Sequence, residues 1–571
     1  MTQKFERPWH RHYPEEIPAT LEYDKKALPL YLNEATERYP EKKALHFMGK
    51  ELTYQEVFEE TKKFAAYLQN LGLEKGDRIA IMLPNSPQSV IAYYGALMAG
   101  GIVVQTNPLY MERELEYQMN DSGAKIIICL DILYPKVSNV KGNTDLEHVI
   151  ITGIKDYLPF PKNRIYPFIQ KRQYKLVVKP EQTQDTHLWD HIMDVSDGIV
   201  QHVEINPEED LALLQYTGGT TGYPKGVMLT HMNLVANTQM SMKWLYKCKQ
   251  GEEIVLGVLP FFHVYGMTAV MNLSIMMGSK MVLLPKFDAG EVLKTIDKQK
   301  TTLFPGAPTI YIALLNHPSL KKYDLSSIEA CISGSAPLPI EVQERFERIT
   351  GGKLVEGYGL TETSPVTHSN FVWDRRINGS IGVPWPDTDA KILSIESEEE
   401  ADYDEIGEIA VKGPQIMKGY WGRIEETEQV LDQKGWFRTG DLGYMNEEGY
   451  FYVVDRKKDM IIAGGFNIYP REVEEVLYEH EAVQEAVVVG VPDPYRGETV
   501  KAFIVKREDS SVTEEELDAF CRKHMAAYKV PRVYEFRMEL PKTAVGKILR
   551  RTLIEEEKNK QTSASKEPIQ P

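Results

Sequence analysis

Between Thr53 and Leu130 the chain alternates between two hydrophobic periods, and few folds accept that alternation. Thr53 and Glu56 form a capping box that opens a helix, with apolar positions at helical spacing to about Leu73. Asp77 to Leu83 follows as a strand, Ser86 to Ser89 start a second helix, and Gly100 and Gly101 stop it. Ile102 to Gln105, a helix around Arg113 to Met119 and the apolar run Lys125 to Leu130 continue the series. Strand–helix units in succession predict an α/β fold: mainly parallel sheets covered by helices on both faces. A length of 571 residues exceeds one ordinary domain. A second domain is expected to begin at the charged junction Asp455 to Asp459, after the strand-like Tyr450 to Val454. Beyond it, Ala486 to Val489, Lys501 to Val505 and a helix opened by Thr513 to Glu516 predict a small α+β lid. The expected boundaries are 1–455, 456–556 and a polar, disordered tail at 557–571.

Chemistry concentrates after a short strand. The apolar run Leu211 to Tyr216 lacks a helical period and reads as buried strand. It leads into Thr217, Gly218, Gly219, Thr220, Thr221, Gly222, Tyr223, Pro224 and Lys225. The glycines let main-chain N–H groups approach a ligand, the threonines add hydroxyls and Lys225 adds a cation, so the loop suits polyphosphate. It is not a Walker loop, because Tyr223 and Pro224 separate Gly222 from Lys225 and Val227 to Leu229 reads as a second strand. A plain Gly/Thr-rich hairpin turn is the alternative. Downstream, Glu356 to Thr363 sets Tyr358 between Gly357 and Gly359, with Thr361 and Glu362 just after. An aromatic face for a flat base thus precedes groups that can reach a phosphate and its metal. His263 stands alone among aromatics, where a hydrogen-bonded core histidine is the ordinary reading.

These segments resemble the signatures of the adenylate-forming, acyl-activating enzymes, which include acyl-CoA synthetases, aryl-CoA ligases, beetle luciferases and peptide-synthetase adenylation domains. The likeness covers nearly the whole chain. It implies ATP, Mg2+ and coenzyme A as ligands, and roles residue by residue. Thr217 to Gly222 and Lys225 would hold the ATP phosphates. Gly334, Ser335 and Ala336, with Glu356, Gly357, Tyr358 and Gly359, would wall the adenine, Tyr358 stacking on it. Thr361 would contact the α-phosphate and Glu362 would hold Mg2+. His263 would orient the acyl carboxylate. Asp441 would accept from both ribose hydroxyls, as two carboxylate oxygens allow, and Arg456 would help from the domain junction. Asp455 and Lys458 would form the hinge, Gly464 and Gly465 would line a pantetheine tunnel, and Lys547 would bridge acyl carboxylate and phosphate.

The run from Gly435 to Lys458 is similar to that of fatty acyl-CoA synthetases. Gly359 stands where acetate-activating relatives carry a Trp that floors the acyl pocket. The implied activity is ATP-dependent ligation of a fatty acid, long-chain by this resemblance, to coenzyme A through an acyl-adenylate. An aryl- or medium-chain acyl-CoA ligase and an acyl-AMP ligase loading a carrier protein stay open beside it. A non-catalytic acyl-nucleotide binder is the reading from another class; the retained Lys547, Glu362 and phosphate loop argue against it.

Composition narrows the partners. A net charge of -17 excludes a general nucleic-acid binder, which needs a basic face. Four scattered cysteines, Cys129, Cys248, Cys331 and Cys521, form no metal or disulfide pattern and suit a cytoplasmic protein. The first residues show no signal-peptide pattern, and the apolar stretch Thr268 to Pro285 is broken by Asn272, Gly278 and Lys280. Residues 155–179 mix seven basic residues with Tyr157, Phe160, Tyr166, Phe168 and Tyr174. They are expected to form either a solvated insertion or a membrane-surface contact. The acidic run Glu396 to Glu405 reads as a solvated loop between strands, and a homodimer is left open.

Overall fold

The structure is a computed structural model that describes residues 7–175, 178, 180–217, 224–463, 466–493, 496–507, 510–543 and 547–564. Gly218, Gly219, Thr220, Thr221, Gly222, Gly464 and Gly465 lie outside the described residues, as do 565–571.

The alternating segment builds an eight-stranded sheet. Its order is Gly419–Tyr420, Lys225–Thr230, Leu211–Thr217, Ile102–Gln105, Arg78–Met82, Ala124–Leu130, His148–Thr152 and Thr186–Leu188. From Leu211–Thr217 to Thr186–Leu188 every pair is parallel, while Lys225–Thr230 turns back antiparallel. The central strands are apolar on both faces because helices cover both: Ile79, Ala80, Ile81 and Met82 are all buried. The capping box forms as the sequence predicts. Glu56 N–H donates to Thr53 Oγ1 at 3.1 Å, Thr53 N–H donates to Glu56 Oε2 at 2.6 Å, and the helix spans Tyr54–Asn70.

A second sheet joins Ile254–Gly257, Lys280–Leu283 and Lys43–Phe47 in parallel, with Lys50–Thr53 antiparallel at its edge. Bridges through Leu303 extend it to Ala330–Ser333, which runs parallel to Lys353–Gly359. Tyr358 therefore sits at the carboxyl end of a parallel strand, where α/β sheets bind ligands. The third sheet departs from the parallel pattern: Asp389–Ser394, Gly407–Lys412, Phe437–Met445 and Phe451–Arg456 are antiparallel throughout. The exposed acidic loop at 396–405 links its first pair and the short turn before Phe451 links its last, while the middle connection passes through Gly419–Tyr420 of the first sheet and the short helix Ile424–Glu428. Its last pair sets Asp441 opposite Arg456.

After the turn at 457–459 the chain builds a separate five-stranded sheet, in the region expected to form the lid. The long hairpin of Val483–Asp493 with Gly497–Lys506 carries Ile461–Ala463 on one side and Val533–Arg537, parallel, on the other. Helices Pro470–Tyr478 and Glu514–His524 enclose its core, the second opened by the expected Thr513–Glu516 box. The disordered tail expected from 557 is corrected over the described residues, since one helix runs Arg550–Ala564. Its polar residues have partners that composition does not reveal. Lys501 pairs with Glu557 at 2.8 Å, Lys560 with Glu535 at 3.0 Å, and Leu553 is buried. All four cysteines are free.

Candidate active site

The second and third sheets and the lid meet around Asp441. Its side chain lies on the strand Phe437–Met445 and the residue is only 3% exposed. The Tyr358 hydroxyl donates to Asp441 Oδ2 at 2.7 Å, and Arg456 Nε lies 2.9 Å from Oδ1. Two groups thus fix the carboxylate, one on each oxygen, and burial together with the Asp441 charge holds the Tyr358 phenol well above its usual pKa. Tyr358 is anchored at its tip, which fixes the plane of its ring. Gly357 and Gly359 flank it because nothing larger fits. A side-chain carbon at 357 would meet Ile332 Cγ2 at 2.7 Å, and one at 359 would overlap the Pro365 carbonyl.

A second cluster lies at the mouth of the Gly/Thr-rich loop. Thr217 and Lys225 pair across the two strands that bound it. Lys225 forms an ion pair with Glu426 and lies 4.9 Å from the Tyr420 ring centroid. The Tyr420 hydroxyl donates to Glu362 Oε1 at 2.9 Å. Thr361 and Glu362 occupy the 3-10 turn Thr361–Thr363 that follows the Tyr358 strand, so the Tyr358 ring and this turn are continuous in the chain.

His263 and Lys547 come from opposite sides. Asn85 clamps the segment before His263, donating to the Gly257 and Leu259 carbonyls at 3.0 and 2.8 Å and accepting from Phe261 N–H at 2.8 Å. Burial, then the charge of Lys547, push the His263 pKa down to about 4. The Lys547 N–H donates to Thr543 Oγ1 at 3.1 Å. Water reaches its side chain, yet protein surrounds it in a deep cleft: Arg456 and then burial lower its pKa to about 8, Lys458 adds to the shift, and Asp441 and Asp459 oppose it. The lid therefore presents Lys547 to Asp441, Arg456 and His263 together.

Other expected residues are placed differently. The Glu356 carboxylate faces the protein interior, accepting from Leu338 N–H at 3.2 Å with Arg471 Nη2 3.9 Å away, and burial raises its pKa. Gly334, Ser335 and Ala336 form the turn after Ala330–Ser333. Ser335 takes a left-handed φ of 70°, and a side chain at Gly334 would meet Tyr265 Cε1 at 2.8 Å. Asp455 is buried, accepts from Arg471 N–H at 2.8 Å and faces Arg550, and burial raises its pKa to about 6. Lys458 lies in the turn between the domains, its pKa lowered by burial and by Arg456. Asn85, Tyr420, Glu426, Arg471 and Arg550 shape the site without having been singled out from sequence.

Comparison with known proteins agrees with this geometry. Residues 32–421 match the family described as AMP-binding enzyme, and residues 472–547 match the AMP-binding enzyme C-terminal domain. The chain is 60% identical to a long-chain-fatty-acid–CoA ligase of Bacillus subtilis (strain 168), over 97% of this chain and 98% of that protein. It is 42% identical to a long-chain-fatty-acid–CoA ligase of Salmonella typhimurium, again over 97% and 98%. Among solved structures, an anthranilate CoA ligase in complex with anthranoyl-AMP superposes with a TM-score of 0.84 at 28% identity, covering 96% of this chain and 99% of that one.

Proposed function

The chain belongs to the AMP-binding enzyme family, and from that premise we propose that it is a long-chain-fatty-acid–CoA ligase using ATP, Mg2+ and coenzyme A. The whole-length likeness to the Bacillus subtilis ligase carries the reading. In the first half-reaction a fatty acid carboxylate oxygen bonds to the α-phosphorus of ATP, and the bond to the departing pyrophosphate breaks. In the second, the coenzyme A sulfur bonds to the acyl carbon and AMP leaves.

Within that scheme Asp441 and Arg456 hold the ribose, Tyr358 stacks on adenine, and Lys225 with the preceding loop holds the phosphates. His263 donates to the acyl carboxylate, and Lys547 spreads its charge over carboxylate and phosphate as pyrophosphate departs. Glu362 fits Mg2+. It offers one buried carboxylate, and among the described residues no cluster of three or more His, Cys, Asp or Glu forms a full cage. A small hard ion that keeps waters and substrate phosphates suits such a site. When bound it neutralises phosphate charge. Rotation of the lid about 457–459 would withdraw Lys547 before thioester formation.

Pyrophosphate release with MgATP tests the assignment across acetate, octanoate, palmitate, oleate and 4-coumarate, each with and without coenzyme A. CoA-dependent turnover of palmitate or oleate is expected. Preference for coumarate would move the protein to aryl acids, and turnover indifferent to coenzyme A would point to a carrier-protein acceptor.

A second reading concerns where the substrate is met. Tyr157 is buried and its hydroxyl is bound to Glu60, so it is no surface contact. Phe160, just before the helix Lys162–Tyr174, is 74% exposed, and on the helix Phe168 is 75% exposed, with Ile165 and Ile169 also exposed. Lys162, Arg164, Lys171, Arg172 and Lys175 surround these side chains in an otherwise acidic chain. The combination suits an anionic lipid surface, from which a fatty acid is drawn. Among the described residues no helix is long and apolar enough to cross a membrane. Co-sedimentation with phosphatidylglycerol vesicles should be lost when Lys171, Arg172 and Lys175 are changed to Gln; unchanged binding would exclude the contact.

A further inference from the structure

Given the reading above as an ATP-dependent ligase, we propose that Tyr420 is a positioning residue that sets Glu362 and Lys225 relative to one another for the adenylation step. The two-residue strand Gly419–Tyr420 forms the outer edge of the eight-stranded sheet and pairs with Lys225–Thr230, Tyr420 opposite Val227. The same short segment is bonded to both halves of the phosphate site. Trp421 N–H donates to the Gly226 carbonyl at 2.8 Å, next to Lys225, and Met417 N–H donates to the Glu362 carbonyl at 2.8 Å. Tyr420 N–H itself donates to Thr427 Oγ1 at 2.9 Å, in the short helix Ile424–Glu428 that also carries the Lys225 partner Glu426.

The Tyr420 side chain then touches both charged groups. Its hydroxyl donates to Glu362 Oε1 at 2.9 Å, and its ring faces the Lys225 ammonium at 4.9 Å. Glu362 is 9% exposed, and a polar group so buried needs a hydrogen-bond partner. A bond to one oxygen also fixes the rotation of the carboxylate, so that its direction toward a metal-bound phosphate is set before substrate arrives. The ring holds Lys225 by its π-face beside its ion pair with Glu426, which fixes where the cation would meet a phosphate that competes with that carboxylate. A core tyrosine serving packing alone would not place its hydroxyl on the carboxylate of this turn.

Two variants separate the two contacts. Tyr420→Phe keeps the ring and removes the hydroxyl. It should slow acyl-adenylate formation ~10-fold, the scale of one hydrogen bond to a charged group, and raise the Mg2+ concentration needed for half-maximal rate. Its KM for ATP at saturating Mg2+ should be unchanged. Tyr420→Leu removes the ring as well, and should add a rise in that KM. Both variants should form thioester from supplied acyl-adenylate at the wild-type rate, which a misfolded protein would not. Wild-type Mg2+ dependence in Tyr420→Phe, or equal loss of both half-reactions, would overturn the role of Tyr420. Failure of the wild-type protein to consume ATP with any fatty acid would instead overturn the ligase reading.

Discussion

Tyr265 N–H donates to His263 Nδ1 at 3.2 Å. A ring nitrogen that accepts carries no proton, so the neutral imidazole holds its proton on Nε2. With its pKa pushed down to about 4 by burial and then by Lys547, His263 stays neutral across the working range. A neutral Nε2–H can donate to a substrate carboxylate without gaining or losing charge as pH changes. His263→Ala should therefore slow adenylation roughly 10- to 100-fold, as expected for losing one hydrogen bond to a charged group. The wild-type pH profile of kcat/KM should show no acid limb near 6.5, the ordinary histidine value. An acid limb there that vanishes in His263→Ala would contradict the neutral-donor role.

In the proposed adenylation Lys547 has the opposite requirement, because only its cation would stabilise the departing phosphate charge. Its pKa is lowered to about 8, first by Arg456, so the free protein loses the cation as pH rises through that value. In adenylation, kcat/KM for ATP should fall on the alkaline side with an apparent pKa near 8, and Lys547→Arg, charged throughout, should remove that limb. Lys547→Ala should slow adenylation by roughly 10²–10³ while sparing thioester formation from supplied acyl-adenylate. Rates measured separately for the two half-reactions decide it; equal losses would mean the residue is structural.

Local signals carried the sequence reading where function and structure are written in adjacent residues. Thr53 with Glu56 and Thr513 with Glu516 cap helices through neighbours three residues away, so both starts were legible. Tyr358, Asp441, Arg456 and Lys547 belong to compact motifs, and the fold gathers them around one cleft. Tyr420 was not legible. A two-residue strand has no period, and its partner Glu362 lies 58 residues away. Glu426 sits in a short polar helix, Ile424–Glu428, that reads as ordinary surface. The antiparallel third sheet was hidden for a related reason, since strand periodicity does not report the direction of the partner. The helix through Ala564 escaped because its polar residues are satisfied by Lys501 and Glu535 on the lid sheet, not by neighbours in sequence.

Gly359 limits how acyl specificity can be altered. A side chain there would overlap the Pro365 carbonyl, which is backbone and cannot swing aside as a flexible side chain would. Gly359→Trp is therefore expected to distort the Thr361–Glu362 turn rather than simply shorten the acyl pocket. Overpacking of this kind costs about 1–3 kcal/mol. Thermal unfolding should show a lower Tm, and activity with palmitate should fall with no gain on acetate. An acetate-preferring variant with wild-type Tm would show that the turn accommodates the ring.

Arg550 offers the sharpest test of how the lid holds Lys547 in place. It lies three residues beyond Lys547 at the start of the last helix, and its guanidinium meets both Glu474 oxygens at 2.6 Å. Asp455, on the last strand of the large domain, lies 3.4 Å from it, and Asp459, in the interdomain turn, lies 3.6 Å away. One cation thus ties the Lys547 segment to the lid and to the domain boundary. Arg550→Leu would leave Glu474 and the nearly inaccessible Asp455 without their cation, and breaking a buried pair from one side costs about 3–5 kcal/mol. The lid should unfold at lower denaturant, and adenylation should suffer more than thioester formation because it alone needs Lys547 in the cleft. Arg550→Leu combined with Glu474→Leu removes one stranded charge and should regain part of the stability while adenylation stays slow. If the double variant recovers adenylation along with stability, Arg550 serves the folding of the lid and not the placement of Lys547.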